Sequence, residues 1–246
     1  MEISLAAEKI GHIGSFPITN SILLSWVASL FLIIVSLVAT SKITTIPNKI
    51  QNFFEIIVEF LFDTANNVLE NEEVTKKYFP LIATLFIFIV TNNWLGLIPG
   101  VGTIGIHEIN KEGHEVLVPL LRAGTADLNM TLALAIVTMI AVQVFGVAAI
   151  GTFKYAKKFF NFSNPINFFV GGLELMGEFA KIVSFSFRLF GNVFAGEVLL
   201  VVIAFLVPYI APLPFFFLEL FVGLIQGLVF TMLALVFIKG AISEAH

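Results

Sequence analysis

From Pro165 to Val207 the sequence reads PINFFVGGLELMGEFAKIVSFSFRLFGNVFAGEVLLVVIAFLV, with no proline inside it. As a continuous helix rising 1.5 Å per residue, this segment is about 64 Å long. That is about twice the ~30 Å hydrocarbon core of a bilayer. Such a segment is too long and too apolar for the core of a small soluble domain. It must lie in a membrane, strongly tilted or extended beyond it.

The composition agrees with a membrane setting. Hydrophobic residues make up 58% of the chain and charged residues 12%, against about 45–50% and about 25% in soluble domains. The aromatic content is dominated by 28 Phe, against three Tyr and two Trp, and Phe has no polar atom to satisfy in lipid. Thirteen Lys and Arg against seventeen Asp and Glu is the wrong balance for a nucleic-acid binder. Cysteine is absent, so disulfides, thiolate chemistry and Cys-ligated metals are excluded.

Four further apolar runs complete the pattern, with spans expected at about 22–40, 78–98, 128–153, 165–207 and 212–239. The first is not a signal peptide: Glu2, Glu8 and Lys9 precede it in place of a basic segment, and its apolar run is too long. The second stops at Pro99-Gly100, and Pro208, Pro212 and Pro214 separate the last two. Between the first two spans, at about 48–70, Ile50, Phe53, Phe54, Ile57, Val58, Leu61 and Phe62 recur at helical spacing, with Glu55, Glu59 and Asp63 on the other side. This predicts an amphipathic helix in the interface plane, its acidic face solvated or against another subunit. The fold class expected is all-α: a polytopic membrane protein of five transmembrane helices plus one interfacial helix, the last two spans long and tilted, in a single membrane domain over 1–246. With five spans, Lys42, Lys49, Lys76, Lys77, Lys154, Lys157, Lys158 and Lys239 fall on one side, and Lys9, Lys111 and Arg122 on the other. The basic excess marks the cytoplasmic side, which puts the N-terminus outside and the C-terminus inside. The external loop then carries Glu108, Glu112, Glu115, His107 and His114. The histidines lack metal-ligand spacing, so no metal and no cofactor are expected.

Ionisable groups inside the spans cost at least ~2.5–3.5 kcal/mol each and by default mark an ion or substrate path. The fourth span holds Lys181, Arg188, Glu174, Glu178 and Glu197, and the fifth holds Glu219 and Gln226. At about 100° per residue, Glu174, Lys181, Ser184, Arg188, Asn192 and Ala195 share one stripe, with Glu178 at its margin. Glu197 looks almost the opposite way. Glu219, Gly223 and Gln226 share a face, and Gly223-x-x-x-Gly227 allows close helix packing. A guanidinium cannot be deprotonated in a protein, so Arg188 can attract a moving carboxylate and strip it of its proton without relaying that proton itself. Membrane glutamates can carry protons. One Arg with carboxylates on different faces suits two offset half-channels with an electrostatic gate. Bland readings stand beside this one: Arg188 paired to a fixed Glu, Glu174 and Glu178 in cytoplasmic water, Lys181 snorkelling, Asn92 and Asn93 packing a span end, and Arg122 a plain loop charge. A secondary transporter is the rival of another class, disfavoured by the absence of an inverted repeat.

SFSFRLFGNVFAGEVLL, Ser184 to Leu200, resembles the signature of subunit a of the rotary ATP synthase membrane sector. NNWLGLIPG (Asn92 to Gly100), TADLNMTLALA (Thr125 to Ala135) and NPINFFVGGLELMGEFAKIV (Asn164 to Val183) resemble other segments of that family in its bacterial form. The resemblance implies a stationary subunit without a nucleotide site, conducting protons, or sodium in some relatives. The implied partners are a rotating ring of c subunits, b-type peripheral-stalk subunits and the remaining complex, in a bacterial plasma membrane. It places Arg188 opposite the ring carboxylates, with the amides Asn192 and Gln226 beside it. Glu197 and Glu219 match the external half-channel, where many relatives carry one acid and one His. Two neighbouring acids imply a shared proton or a bound cation. Glu174, Glu178 and Ser184 match the internal half-channel, Asp127 and Asn129 its external counterpart's mouth, and Lys181 a basic position on the Arg stripe.

Overall fold

The computed structural model describes residues 7–41, 43–101, 104–109, 115–159 and 164–243. Lys42, Lys111, Glu112 and His114, which enter the charge and loop readings, lie outside them, as does Glu2, and the side chains of His107, Glu108 and Glu115 are likewise undescribed. The chain runs β1 (Lys9–Ile13), β2 (Phe16–Thr19), α1 (Asn20–Thr40), α2 (Lys49–Leu69), α3 (Glu72–Gly96), β3 (Gly105–Ile109), β4 (Glu115–Pro119), a 3₁₀ turn (Gly124–Ala126), α4 (Leu128–Ile150), α5 (Thr152–Phe159), α6 (Pro165–Leu206) and α7 (Pro212–Ile242). Five of these helices, α1, α3, α4, α6 and α7, are long and apolar enough to cross a membrane. The all-α polytopic class therefore holds, with α6 unbroken over 42 residues.

The helix ends follow local chemistry. Thr19, Asn48, Asn71 and Asp127 each cap a helix by accepting backbone N–H groups in the first turn, which relieves donors that have no intrahelical partner. Asn71 starts α3 six residues ahead of the expected apolar boundary. The third expected span is cut at Gly151, whose φ of +93° lies where only glycine is unstrained. The residues after it form α5, a short separate helix that packs back on α4 through Tyr155. Pro165 and Pro212 open α6 and α7, where a missing N–H costs nothing.

Two antiparallel hairpins, β1–β2 and β3–β4, lie outside the helices. Neither segment has the sustained alternation that would have announced a strand.

The core is formed where α3, α4, α6 and α7 meet, around Leu85, Ile89, Ala135, Val142, Phe185, Leu189, Phe230, Ala234 and Ile238. The rings of Phe185 and Phe230 meet edge to face at 4.6 Å, a favoured aromatic geometry. Gly223 and Gly227 bring α7 against α3: a Cβ at Gly227 would stand 2.7 Å from Val90 Cγ2, and one at Gly223 3.0 Å from the Asn93 Cβ. On α2, Leu61, Ala65 and Leu69 are buried while Ile50, Phe53, Ile56 and Phe60 are exposed. The outward side of α6 presents Met176, Phe179, Val183, Phe187 and Phe205, an apolar band suited to lipid or another membrane subunit.

Candidate functional site

Arg188 lies on this outward side of α6 and is exposed. Its Nη2 donates to Ser184 Oγ one turn back, at 3.4 Å. No carboxylate of the described residues lies within ion-pair distance of it. One turn on, Asn192 Nδ2 donates to Gln226 Oε1 across the α6–α7 contact at 2.6 Å. Gln226 is only 4% exposed, and its Nε2 has no partner among the described residues. Toward the N-terminal half of α6, a cavity of about 250 Å³ opens beside Arg188. Lys181, Ser184, Arg188, Phe185, Leu233 and Phe237 line it together with Gly177 and Ala180.

At the far end of that cavity the polar groups interlock. Lys181 Nζ donates to Glu178 Oε1 at 2.6 Å, and Gln143 Nε2 donates to Glu178 Oε2 at 2.9 Å. Tyr155 of α5 donates its hydroxyl to Gln143 Oε1. Lys181 also stands 4.6 Å over the Phe237 ring, within cation–π range. Lys181 therefore does not simply snorkel to the interface: its three-residue offset from Glu178 puts the two charges on one helical face, and the neighbouring helices hold them there. Burial, and then the charges of Glu178 and Glu174, push the Tyr155 phenol above its ordinary range. Glu174 is half-buried, and its Oε2 has no hydrogen-bond partner among the described residues. Gln143 and Tyr155 escaped the sequence reading. A lone amide within the apolar run of α4 was a usable signal for Gln143; Tyr155, in a lysine-rich stretch, offered none.

At the opposite end of α6, Arg122 departs from its expected role. It is not a plain loop charge: it is 7% exposed, and its Nε and Nη2 donate to Glu197 Oε2 at 3.2 and 3.0 Å. The reason is that residues 122–127 fold back into the bundle and are buried throughout. The Phe194 ring lies 5.8 Å from the guanidinium. Glu197, turned away from the Arg188 stripe as its nine-residue offset requires, is thus paired with the Arg122 side chain, where a proton shared with a second acid or a bound cation was expected. Glu219 is 9% exposed, and its carboxylate rests against the backbone of Gly196, in the space a Cβ there would need.

Behind this pair runs a buried polar network. Asp127 is 4% exposed; its Oδ1 accepts from the Asn129 N–H at 3.0 Å and its Oδ2 from Ser21 Oγ at 2.8 Å. Asp127 therefore caps α4 and ties it to α1, while Asn129 is exposed. Thr125 donates to Asn93 Oδ1 at 2.6 Å, and Asn93 Nδ2 donates to the Gly223 carbonyl at 3.0 Å. Ser25 donates to Asn92 Oδ1 at 3.2 Å. Ser21 and Ser25 were also missed, since single serines in an apolar run carry no distinctive pattern.

The structure thus divides the predicted residues into three groups along α6. Glu174, Glu178 and Ser184 lie toward one end, with Arg188, Asn192 and Gln226 in the middle. Glu197 and Glu219 lie toward the other end, near Asp127.

The chain is similar to known proteins over most of its length. Residues 22–239 match the ATP synthase A chain family. ATP synthase subunit a of Trichlorobacter lovleyi is 35% identical over 99% of this chain and 96% of its own length. ATP synthase subunit a, sodium ion specific, of Propionigenium modestum is 35% identical over 100% of this chain and 81% of its own. ATP synthase subunit a of Moorella thermoacetica is 32% identical over 94% of each chain. With a family match over nearly its whole length, and an arginine midway along its longest helix that has no carboxylate partner among the described residues, the chain belongs to the ATP synthase subunit a family, the ion-conducting membrane-sector subunits of rotary ATP synthases.

Proposed function

We propose that this chain is a proton-conducting stator that works through two offset half-channels separated by Arg188. The observation that carries this reading is the Arg188 guanidinium, exposed on α6 and without a carboxylate partner among the described residues. A permanent cation in that position seeks a carboxylate from outside, and a ring of c subunits supplies one after another. Protons enter from outside past Asp127, Asn129, Glu219 and Glu197 and neutralise a ring carboxylate. The neutral carboxyl then travels through lipid. On its return it meets Arg188, ionises, and releases its proton into the cavity beside Ser184, from which Glu178 and Glu174 lead to the other side. Asn192 and Gln226 keep the α6–α7 contact polar next to the gate.

The energy at stake is about 2.3 kcal/mol per charge for each 100 mV, and any leak past Arg188 loses it. In this reading the chain is one membrane domain in a bacterial plasma membrane, N-terminus outside, supported by b-type stalk subunits. The test is ATP-driven proton uptake in inverted vesicles at matched complex assembly. Arg188→Ala abolishes uptake while passive leak persists or rises; unchanged uptake would sink the proposal. The similarity to a sodium-specific relative favours one second reading, sodium as the ion. Stimulation of ATPase activity by sodium at alkaline pH would select it, and indifference to sodium selects the proton.

A further inference from the structure

Two carboxyl groups at the same end of α6 and α7 differ sharply in their surroundings. Glu197 receives two charge-assisted hydrogen bonds from Arg122, a side chain that is itself 7% exposed. Glu219 has neither an ion-pair partner nor a side-chain hydrogen bond among the described residues, although at 9% exposure it is more deeply buried than Glu197, whose side chain is 37% exposed. It lies on the backbone of Gly196, the residue before Glu197. A guanidinium stays charged at any pH a protein survives. A proton arriving at Glu197 has to displace that cation's bonds, which are among the strongest a side chain makes. A proton arriving at Glu219 displaces nothing.

From this contrast, and resting on the half-channel reading above, we infer that Arg122 is a positioning residue. It pins Glu197 as a fixed counter-ion and leaves Glu219 as the carboxyl that exchanges the proton in this half-channel. The division of labour explains how two acids coexist where proximity would make joint ionisation costly. Phe194 lies beside the guanidinium at 5.8 Å, and the 3₁₀ turn Gly124–Ala126 follows close behind Arg122 in the buried segment. Gly196 contributes by being bare: any side chain there would push the Glu219 carboxylate off its seat.

The test uses the assembled complex in inverted vesicles. Glu219→Gln lowers ATP-driven proton uptake per assembled complex by about a hundredfold, the low end of what a proton-transferring side chain contributes. Arg122→Gln also lowers uptake, because it releases Glu197. Adding Glu197→Gln to Arg122→Gln recovers at least about tenfold of that loss, because the double variant removes both charges. If the double variant pumps no better than Arg122→Gln, Glu197 itself exchanges the proton and the inference is overturned.

A second measurement requires no function from a variant. A hydrophobic carbodiimide, which reacts with protonated carboxyl groups, is applied to the native complex and the adducts are located by mass spectrometry. The expected adduct is on the Glu219 peptide and absent from the Glu197 peptide, with labelling of Glu197 appearing in Arg122→Gln. Adduct on Glu197 in the native complex overturns the assignment, and a merely structural Arg122 would leave the labelling pattern unmoved. Failure here with Arg188→Ala still inactive refutes only the division of labour. Normal pumping by Arg188→Ala refutes the half-channel reading itself.

Discussion

Replacing Gly196 by alanine adds one methyl group at the point where α6 faces Glu219. A Cβ built on the native backbone falls within the space of the Glu219 carboxylate, whose three atoms are its nearest neighbours. Ordinary carbon contacts begin at about 3.5 Å, so the carboxylate has to withdraw by more than ~1 Å. Because it is the end of a flexible side chain, it can do so by leaving its rotamer well, at about 0.5–1.5 kcal/mol. The alternative is a shift of α7, and the stability cost of overpacking runs to about 1–3 kcal/mol. Alanine also favours the helix over glycine by about 1 kcal/mol, which offsets part of this. The expected net effect on assembly is therefore small. The effect on transport is larger, since a misplacement of ~1 Å at a reacting group costs up to about a hundredfold in rate. The assay is ATP-driven proton uptake divided by the amount of assembled complex, with Gly240→Ala as control, because a Cβ there meets nothing. Uptake by Gly196→Ala equal to that of Gly240→Ala would show that the seat of the Glu219 carboxylate is irrelevant to transport.

Three further outcomes are expected. Tyr155→Phe deletes the hydroxyl bonded to Gln143 and costs about 0.5–1.5 kcal/mol, measurable as a lower thermal midpoint of the detergent-solubilised complex. Since the fold favours the neutral phenol, that contribution is intact below the ordinary phenol pKa near 10 and is lost as pH rises through the elevated folded value. The midpoints of native and Tyr155→Phe complexes therefore converge above pH 10, and parallel curves would argue against it. Asp127→Ala removes both the α4 cap and the acceptor for Ser21, costing about 1–2 kcal/mol from the cap alone. Reduced amounts of the subunit in membranes, partly restored by Asp127→Asn, are the measurement. Lys181→Met breaks the pair with Glu178 but keeps a stem against Phe237. Passive proton conduction through membranes stripped of the catalytic sector should fall, and an unchanged rate would place Lys181 outside the route.

What was legible in the sequence is what periodicity and solvation dictate locally. Apolar runs of membrane length, the proline cluster at Pro208, Pro212 and Pro214, and the amphipathic spacing of residues 48–70 each fix a helix or its end without reference to any distant residue. The stripe containing Lys181, Ser184, Arg188 and Asn192 follows from helical geometry alone, and the motif around Arg188 was enough to point to the family. The partners of those charges were not legible, because they come from segments far apart in the chain. Glu197 is paired with Arg122, 75 residues earlier, and Gln143 reaches Glu178 across 35. Asp127 holds Ser21 across 106.

An isolated arginine in a loop reads as a solvated charge. Only the fold, by turning residues 122–127 into the bundle, made Arg122 a buried cation beside Glu197. Likewise Gly151 converted the end of an apolar run into a separate helix, and so brought Tyr155 to Gln143. The sequence by itself determined that the chain spans a membrane and that a permanent cation sits midway along one long helix. The tertiary structure decided which carboxyl groups are held by a cation and which are not, because that depends on which helix faces come together, and no local periodicity encodes that.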